Sequence, residues 1–126
     1  MAQNRLVAIL SLLTFLAMTN SAFAATGLSA DTVTSNSVKL NFATDERVQT
    51  WEVCWKLGRY NPTPTCSDFA NHESFAGNQQ SSGTYTIPGL KSDRWYTFKV
   101  RAKSIKNNGK AQTSYRYVGH VQVKTQ

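Results

Sequence analysis

The sequence predicts an all-β fold in which antiparallel strands pack as a sandwich. Apolar and polar residues alternate with a period of two in several segments, which is typical of strands with one buried and one exposed face. The apolar members of these segments are Val38, Leu40 and Phe42; Trp51, Val53 and Trp55; Tyr96, Phe98, Val100 and Ala102; and Val121 and Val123. Turn-forming residues separate the segments, and no window beyond the N-terminal region has the 3.6-residue period of a helix.

The predicted breaks between strands are rich in glycine, proline, asparagine and serine. They are Thr34-Ser35-Asn36-Ser37, Gly58 to Thr65, Gly77 to Gly83, and Asn107-Asn108-Gly109. The second break contains two prolines, which are not compatible with a central strand. Asparagine and glycine at the last break suit a tight turn. The stretch Ser67 to Ala76 has the weakest pattern, and we assign one short edge strand to it.

The N-terminus has the features of a secretory leader. A weakly basic start precedes an apolar run of 13 residues from Leu6 to Met18, and Ala22-Phe23-Ala24 follows. Such a run spans about 20 Å as a helix, short of a hydrocarbon core of roughly 30 Å. We therefore expect residues 1–24 to be a cleaved signal peptide, residues 25–126 to form one domain, and no segment to span a membrane. The predicted location is secreted or periplasmic.

Charge is distributed unevenly along the expected mature chain. Residues 25–90 hold four bases and six acids, whereas residues 91–126 hold nine bases and one acid. This asymmetry indicates either an electrostatic partner for the C-terminal third or a solvated basic surface that maintains solubility. The candidate polyanion-binding residues are Lys99, Arg101, Lys103, Lys106, Lys110 and Arg116.

Cys54 and Cys66 are the two cysteines of the chain. In an exported protein such a pair indicates a disulfide. His72 and His120 have no metal-ligand spacing relative to each other or to the cysteines, so no metal site is predicted. Sequence motifs for nucleophilic catalysis, zinc hydrolysis and phosphate binding are absent, and we predict neither enzymatic activity nor a cofactor.

Three segments resemble fibronectin type III domains. Ser37-Val38-Lys39-Leu40-Asn41-Phe42 is similar to the second strand of that family, and Trp51-Glu52-Val53-Cys54-Trp55 is similar to the third. Thr84-Tyr85-Thr86-Ile87-Pro88-Gly89-Leu90, followed by Tyr96, is the most specific match. In the family this leucine and tyrosine mark the corner that enters the sixth strand.

The resemblance implies a non-catalytic interaction module. We accordingly predict seven antiparallel strands in two sheets, with Phe42, Trp55, Leu90 and Tyr96 in the core. The Tyr96 hydroxyl is expected to bond to backbone in the preceding loop. Three features depart from the family: phenylalanine instead of tryptophan at position 42, the cysteine pair, and the absence of an integrin-binding Arg-Gly-Asp tripeptide. Integrin recognition is therefore not implied.

Aromatic residues fall into two groups by their parity, that is, by the strand face on which alternation places them. Trp95 shares parity with the basic residues of its segment, so it either stacks on a ligand ring or is covered by the stem of a basic side chain. Tyr115 and Tyr117 share parity with Val121 and Val123, which predicts packing unless a bulge at Gly119 changes the register.

Three hypotheses for function remain open. The first is a monomeric, secreted binding module whose ligand, a protein or an acidic surface polymer, the sequence does not specify. The second is a basic adhesin or accessory unit for acidic polysaccharide or a cell-surface polymer. The third is an inhibitor that acts through the disulfide-closed loop Gly58 to Thr65. Nucleic acid is disfavoured as a partner because the chain is predicted to be exported and lacks base-reading residues.

Overall fold

The computed structural model describes residues 27–60, 65–106, 109–110, 112 and 114–126. These residues form five antiparallel strands: β1 (Gly27–Val33), β2 (Val38–Leu57), β3 (Asn71–Ile87), β4 (Trp95–Ser104) and β5 (Arg116–Lys124). A 3₁₀ turn (Cys66–Asp68) lies between β2 and β3. The all-β antiparallel prediction is confirmed. The predicted signal peptide falls outside the described residues, and the described part of the chain has no helix with the length and apolarity needed to cross a membrane.

The prediction of seven strands is wrong because β2 and β3 are long: β2 changes partners along its length, and β3 pairs with both parts of β2. Residues 38–43 of β2 pair with β1 and with the C-terminal part of β3. Residues 48–57 pair with β4 and with the N-terminal part of β3. The strand order is β1-β2-β4-β5, with β3 also paired to β2. The division into two sheets stays a prediction.

The change of partner in β2 occurs at a register shift between Ala43 and Val48. No glycine or proline stands in this interval, so the chain remains extended and absorbs the shift as a bulge. Thr44 supports it, since its hydroxyl donates to Glu46 O at 2.9 Å and accepts from Glu46 N at 3.2 Å. A local hydrogen-bonded bend therefore replaces the boundary between second and third strands that the family resemblance implied.

The predicted loop from Gly77 to Gly83 is part of β3 instead. Asn78 and Gln79 adopt positive φ values of 54° and 62°, which bend the strand between the two segments that pair with β2. A Cβ at Gly77 would lie 2.3 Å from Val48 O, so only glycine allows the backbones to approach this closely. The polar composition of the segment reflects an exposed, bent strand and not a loop.

The core gathers side chains from β2, β3, β4 and β5. Its buried members are Val38, Leu40, Phe42, Val48, Trp51, Val53, Ile87, Leu90, Tyr96, Phe98, Val100, Ala102 and Val123. Phe42 packs on Trp51 with ring centroids 4.6 Å apart. The Tyr96 hydroxyl accepts a hydrogen bond from Lys91 N at 2.9 Å, which closes the expected tyrosine corner.

Trp55 departs from its predicted place in the core. It is only partly buried and packs against the edge of the core, whereas Trp51 is 1% exposed. Parity correctly puts both rings on the same side of β2, because alternate residues of a strand share a face. The two rings differ in burial because Trp55 lies only two residues from the end of β2 at Leu57.

Candidate functional site

The outward side of β4 carries a row of basic side chains. Lys99, Arg101 and Lys103 are partly exposed, whereas Phe98, Val100 and Ala102 between them are buried. Alternate residues of a strand are about 6.6–7 Å apart, so the three cations form a regular row. The alternation predicted for this segment therefore holds in the structure.

Two tyrosines lie beside this row. Lys99 Nζ is 5.2 Å from the centroid of the Tyr117 ring. Arg101 Cζ and Lys103 Nζ lie 4.6 and 4.8 Å from the centroid of the Tyr115 ring. These distances are within the range of cation–π attraction, about 6 Å. We call these five side chains the cation–aromatic face.

A bulge in β5 orients Tyr117 toward this face. Val100 pairs with Gly119, but Arg101 pairs with Tyr117, so Val118 is an extra residue in β5. Val118 packs against the core, and Tyr117 is 57% exposed. The packing interpretation of Tyr117 is therefore wrong, and the alternative of a register change near Gly119 describes the structure.

Trp95 extends the face at the start of β4. It is 36% exposed, and the Arg59 guanidinium lies over it, with Cζ 4.2 Å from the ring centroid. Arg59 Nε also donates to Gln122 Oε1 at 3.0 Å. Trp95 is thus covered by a basic side chain, and that side chain comes from the segment after β2.

Acidic partners neutralise only part of the predicted polyanion set. Arg101 Nε donates to Glu52 Oε1, and the Glu52 side chain is only 11% exposed. Among the described residues, neither Lys103 nor Lys106 has a carboxylate at ion-pair distance. Burial lowers the pKa of Lys99 below its ordinary value, the Arg101 charge lowers it further, and Asp68 opposes both.

Three of the predicted basic residues lie away from the row. Arg116 pairs across the strands with buried Ala102, and its guanidinium lies 3.3 Å from Glu46 Oε1. Because cross-strand partners share a face, Arg116 lies on the opposite side of the sheet from Lys99, although both were candidates for one polyanion-binding set. Lys106 and Lys110 are exposed on the turn after β4, where Lys106 N donates to Lys110 O at 2.7 Å. Asn107 and Asn108 lie outside the described residues.

The disulfide between Cys54 and Cys66 is confirmed, with the two Cα atoms 5.7 Å apart. Cys54, Cys66 and Phe69 form a small buried cluster separate from the main core. Cys54 pairs with Lys99 across β2 and β4, so the disulfide attaches the 3₁₀ turn to the outward side of the sheet. Glu52, also of outward parity, is buried as well, and it lines one cavity together with Thr65, Cys66 and Ser67.

The sequence pattern did not identify Glu52, Phe69 and His72 as neighbours of the disulfide. His72 pairs with Cys54 across β2 and β3, and its Nδ1 lies 3.8 Å from Glu52 Oε2. The available signal was the parity of Cys54, which it shares with Glu52 and Lys56 and not with the apolar residues. An outward cysteine indicates that the chain returns over that face. No described group of three His, Cys, Asp or Glu residues is arranged to hold a metal ion.

Comparison with known proteins places this geometry in a family. The fibronectin type III domain model matches residues 23–118. A solved structure described as a myokine is 16% identical, with 79% of this chain and 93% of that chain covered and a TM-score of 0.54. The FN3 domain of human collagen XX is 20% identical, with 79% and 88% covered and a TM-score of 0.52.

These structural similarities bear on the fold alone, because their sequence identities are low. Curated proteins give no significant match to the sequence. The family model, in contrast, covers most of the chain, including β1 to β4 and the start of β5. The chain belongs to the fibronectin type III family.

Proposed function

We propose that this protein is a secreted, non-catalytic binding module whose cation–aromatic face binds an acidic polysaccharide. The observation that carries the proposal is the single row of Lys99, Arg101 and Lys103 alongside the Tyr115 and Tyr117 rings. Membership of a family of interaction modules supports the binding role, and the disulfide supports an oxidising compartment outside the cytoplasm.

The spacing of the row favours a repeating anion over a single small ligand. The backbone positions of neighbouring cations are about 6.6–7 Å apart, so their side chains leave one side of the strand in series, which suits charges repeated along a polymer. Each exposed contact is screened, since the Debye length is about 8 Å at physiological salt. Affinity must therefore come from the number of contacts made at once. Glu52 pairs with Arg101, and Lys103 has no carboxylate at ion-pair distance among the described residues.

The aromatic part of the face favours a polymer that contains rings. Tyr117 is 57% exposed, so its ring is available to a ligand even with Lys99 beside it. A tyrosine offers an apolar ring face and a polar hydroxyl, a combination that suits the mixed apolar and polar surface of a sugar. The bases of nucleic acid also stack on aromatic rings, but the oxidising compartment argues against that partner.

The inhibitor hypothesis has less support than the polysaccharide proposal, because the first residues of the loop Gly58 to Thr65 contact the sheet. Tyr60 N donates to Thr97 Oγ1 at 3.1 Å, and Tyr60 O accepts from Gln122 Nε2 at 2.9 Å. Arg59 lies over Trp95. Residues 59 and 60 thus lie against the sheet instead of projecting toward a partner, and residues 61–64 are outside the described part of the chain.

Chromatography on immobilised heparin tests the proposal. We expect retention at low salt, and earlier elution when Lys99, Arg101 and Lys103 are replaced by serine. The matched control replaces Lys39, Arg47 and Lys91, three basic residues outside the face, and removes the same charge. Counterion release predicts that the slope of log affinity against log salt falls by about 2–3 in the face variant. Equal elution of the two triple variants would contradict the proposal.

A further inference from the structure

A cavity lies between the disulfide-linked turn and the cation–aromatic face. Its volume is about 290 Å³, and its lining includes Glu52, Thr65, Ser67, Phe69, His72 and Arg101. This volume is at the lower end of the range for small-molecule sites, about 300–1,000 Å³. The cavity is therefore of a size for one small ring and its substituents.

Strand register brings the polar lining together. Arg101 pairs with Glu52 across β4 and β2, and His72 pairs with Cys54 across β3 and β2. Cross-strand partners share a face, as do alternate residues of one strand, so these side chains converge on the outward side of β2. Cys54 is bonded to Cys66, which holds the hydroxyl-bearing residues Thr65 and Ser67 beside them.

Glu52 is the distinctive group of the cavity. The residue is 8% exposed, and its Oε1 accepts a hydrogen bond from Arg101 Nε. Its second oxygen, Oε2, lies 3.8 Å from His72 Nδ1, which is too long for a direct hydrogen bond. A gap of this length between two polar atoms suits a third group that bonds to both.

The chemistry of the gap selects the ligand group. A carboxylate only accepts hydrogen bonds, so the bridging group must donate to Glu52. A sulfate, phosphate or carboxylate has no hydrogen to donate and is repelled by the Glu52 charge. A hydroxyl both donates and accepts, and it can therefore bridge Glu52 Oε2 and an Nδ1–H of His72.

We infer that this cavity is a subsite for one sugar ring of the acidic polysaccharide. A ring hydroxyl donates to Glu52 Oε2 and accepts from His72, and Phe69 supplies an apolar wall. The adjoining cations of β4 bind the acidic substituents of the same chain. The inference rests on the proposed function and adds a preference for sugar polymers over other polyanions.

Two probes separate the subsite from the cation row. Heparin carries anions and ring hydroxyls, whereas linear polyphosphate carries repeated anions along its chain without sugar hydroxyls. The test variant is His72→Ala, because this side chain is 61% exposed and its removal leaves the core intact. The matched control is Gln80→Ala, which removes an exposed, uncharged polar side chain of the same strand, β3, outside the cavity and the cation–aromatic face.

Affinities are measured at pH 8, above the range in which histidine normally takes up a proton, so that neither variant changes the net charge. We expect His72→Ala to weaken heparin binding by about threefold to tenfold, the effect of one hydrogen bond, and to leave polyphosphate binding unchanged. Gln80→Ala should preserve the ratio of the two affinities.

An equal effect of His72→Ala on both probes, or no effect on either, would overturn the subsite. Amide chemical shifts give an independent readout: residues 65–69 and His72 should respond to heparin and not to polyphosphate. If replacing Lys99, Arg101 and Lys103 left the affinities for both probes unchanged, the proposed function would be overturned, and the subsite with it.

Discussion

The two sides of β4 use the same backbone for different purposes. On the inner side Tyr96, Phe98, Val100 and Ala102 are all buried, and their contacts are mostly apolar. On the outer side Lys99, Arg101 and Lys103 are partly exposed and contact aromatic rings or a carboxylate. Side chains on both sides contact neighbouring residues, but only the outer side leaves polar groups within reach of a ligand.

The difference shows where stability and binding are separated. Burial of apolar area contributes roughly 25 cal/mol per Å², so a fully buried aromatic side chain contributes a few kcal/mol. An exposed cation–π contact contributes only about 0.5–1 kcal/mol. Substitutions on the outer side can therefore alter ligand binding with little effect on the free energy of unfolding, except at the disulfide.

The largest expected effect comes from opening a cavity on the inner side. Phe98 is fully buried, and Phe98→Ala should lower the free energy of unfolding by about 3–5 kcal/mol. The matched outer variant is Lys103→Ala, which should lower it by less than about 1 kcal/mol. Urea denaturation of both variants measures the contrast. Similar losses in the two variants would contradict the separation of roles.

The disulfide should give the next largest effect, and it is the exception on the outer side. Cys54 and Cys66 are 12 positions apart, and closing a loop of this size contributes about 3 kcal/mol in the chain-entropy model. We expect the Cys54→Ala, Cys66→Ala double variant to melt at a clearly lower temperature in calorimetry. An unchanged melting temperature would show that the 3₁₀ turn stays in place without the covalent link.

The smallest expected effect concerns the protonation of Lys99. Burial, and then the Arg101 charge, lower its pKa below the ordinary value of 10.5. In the pH range between the two values the unfolded chain binds more protons than the folded chain, so Lys99 makes the free energy of unfolding rise with pH. Below this range Lys99 is charged in both states, and burial of the charge lowers the free energy of unfolding.

The Lys99→Met variant isolates this contribution. Tyr85 acts in the opposite direction, because burial and then Glu73 raise its pKa above 10.0, but it is present in both proteins. We expect the stability advantage of Lys99→Met over the native chain to shrink as pH rises from neutral toward 10.5. Denaturation midpoints of the two proteins across this range measure it. An advantage that grows with pH would reverse the assigned sign.

Local alternation was sufficient to predict most of the inner side. Phe42 and Tyr96 lie in the core, and Lys99, Arg101 and Lys103 lie in one row, because a period of two is a property of the strand itself. Leu90 lies outside the strands, and its burial was expected from the family resemblance. Parity also made the position of Cys54 informative. The pairing of Cys54 with Cys66 followed from composition and the predicted export of the chain.

Features that depend on neighbouring strands were not predictable in this way. The strand count, the partial exposure of Trp55 and the departure of Arg116 from the row all follow from which segments pair and where the register shifts. The Val118 bulge turned Tyr117 outward, although its sequence parity with Val121 and Val123 predicted packing.

The amino-acid sequence by itself determined the strand content, the faces of β4, the cysteine pair and the basic character of the C-terminal third. These depend on residue type and on local backbone geometry. The tertiary structure alone decided that Glu52 is buried, with its Oε2 3.8 Å from His72 Nδ1, that it shares a cavity with the 3₁₀ turn, and that two tyrosines lie beside the cations. Such contacts join residues far apart in the chain, and they form only when strand register and the disulfide bring the outward side chains together.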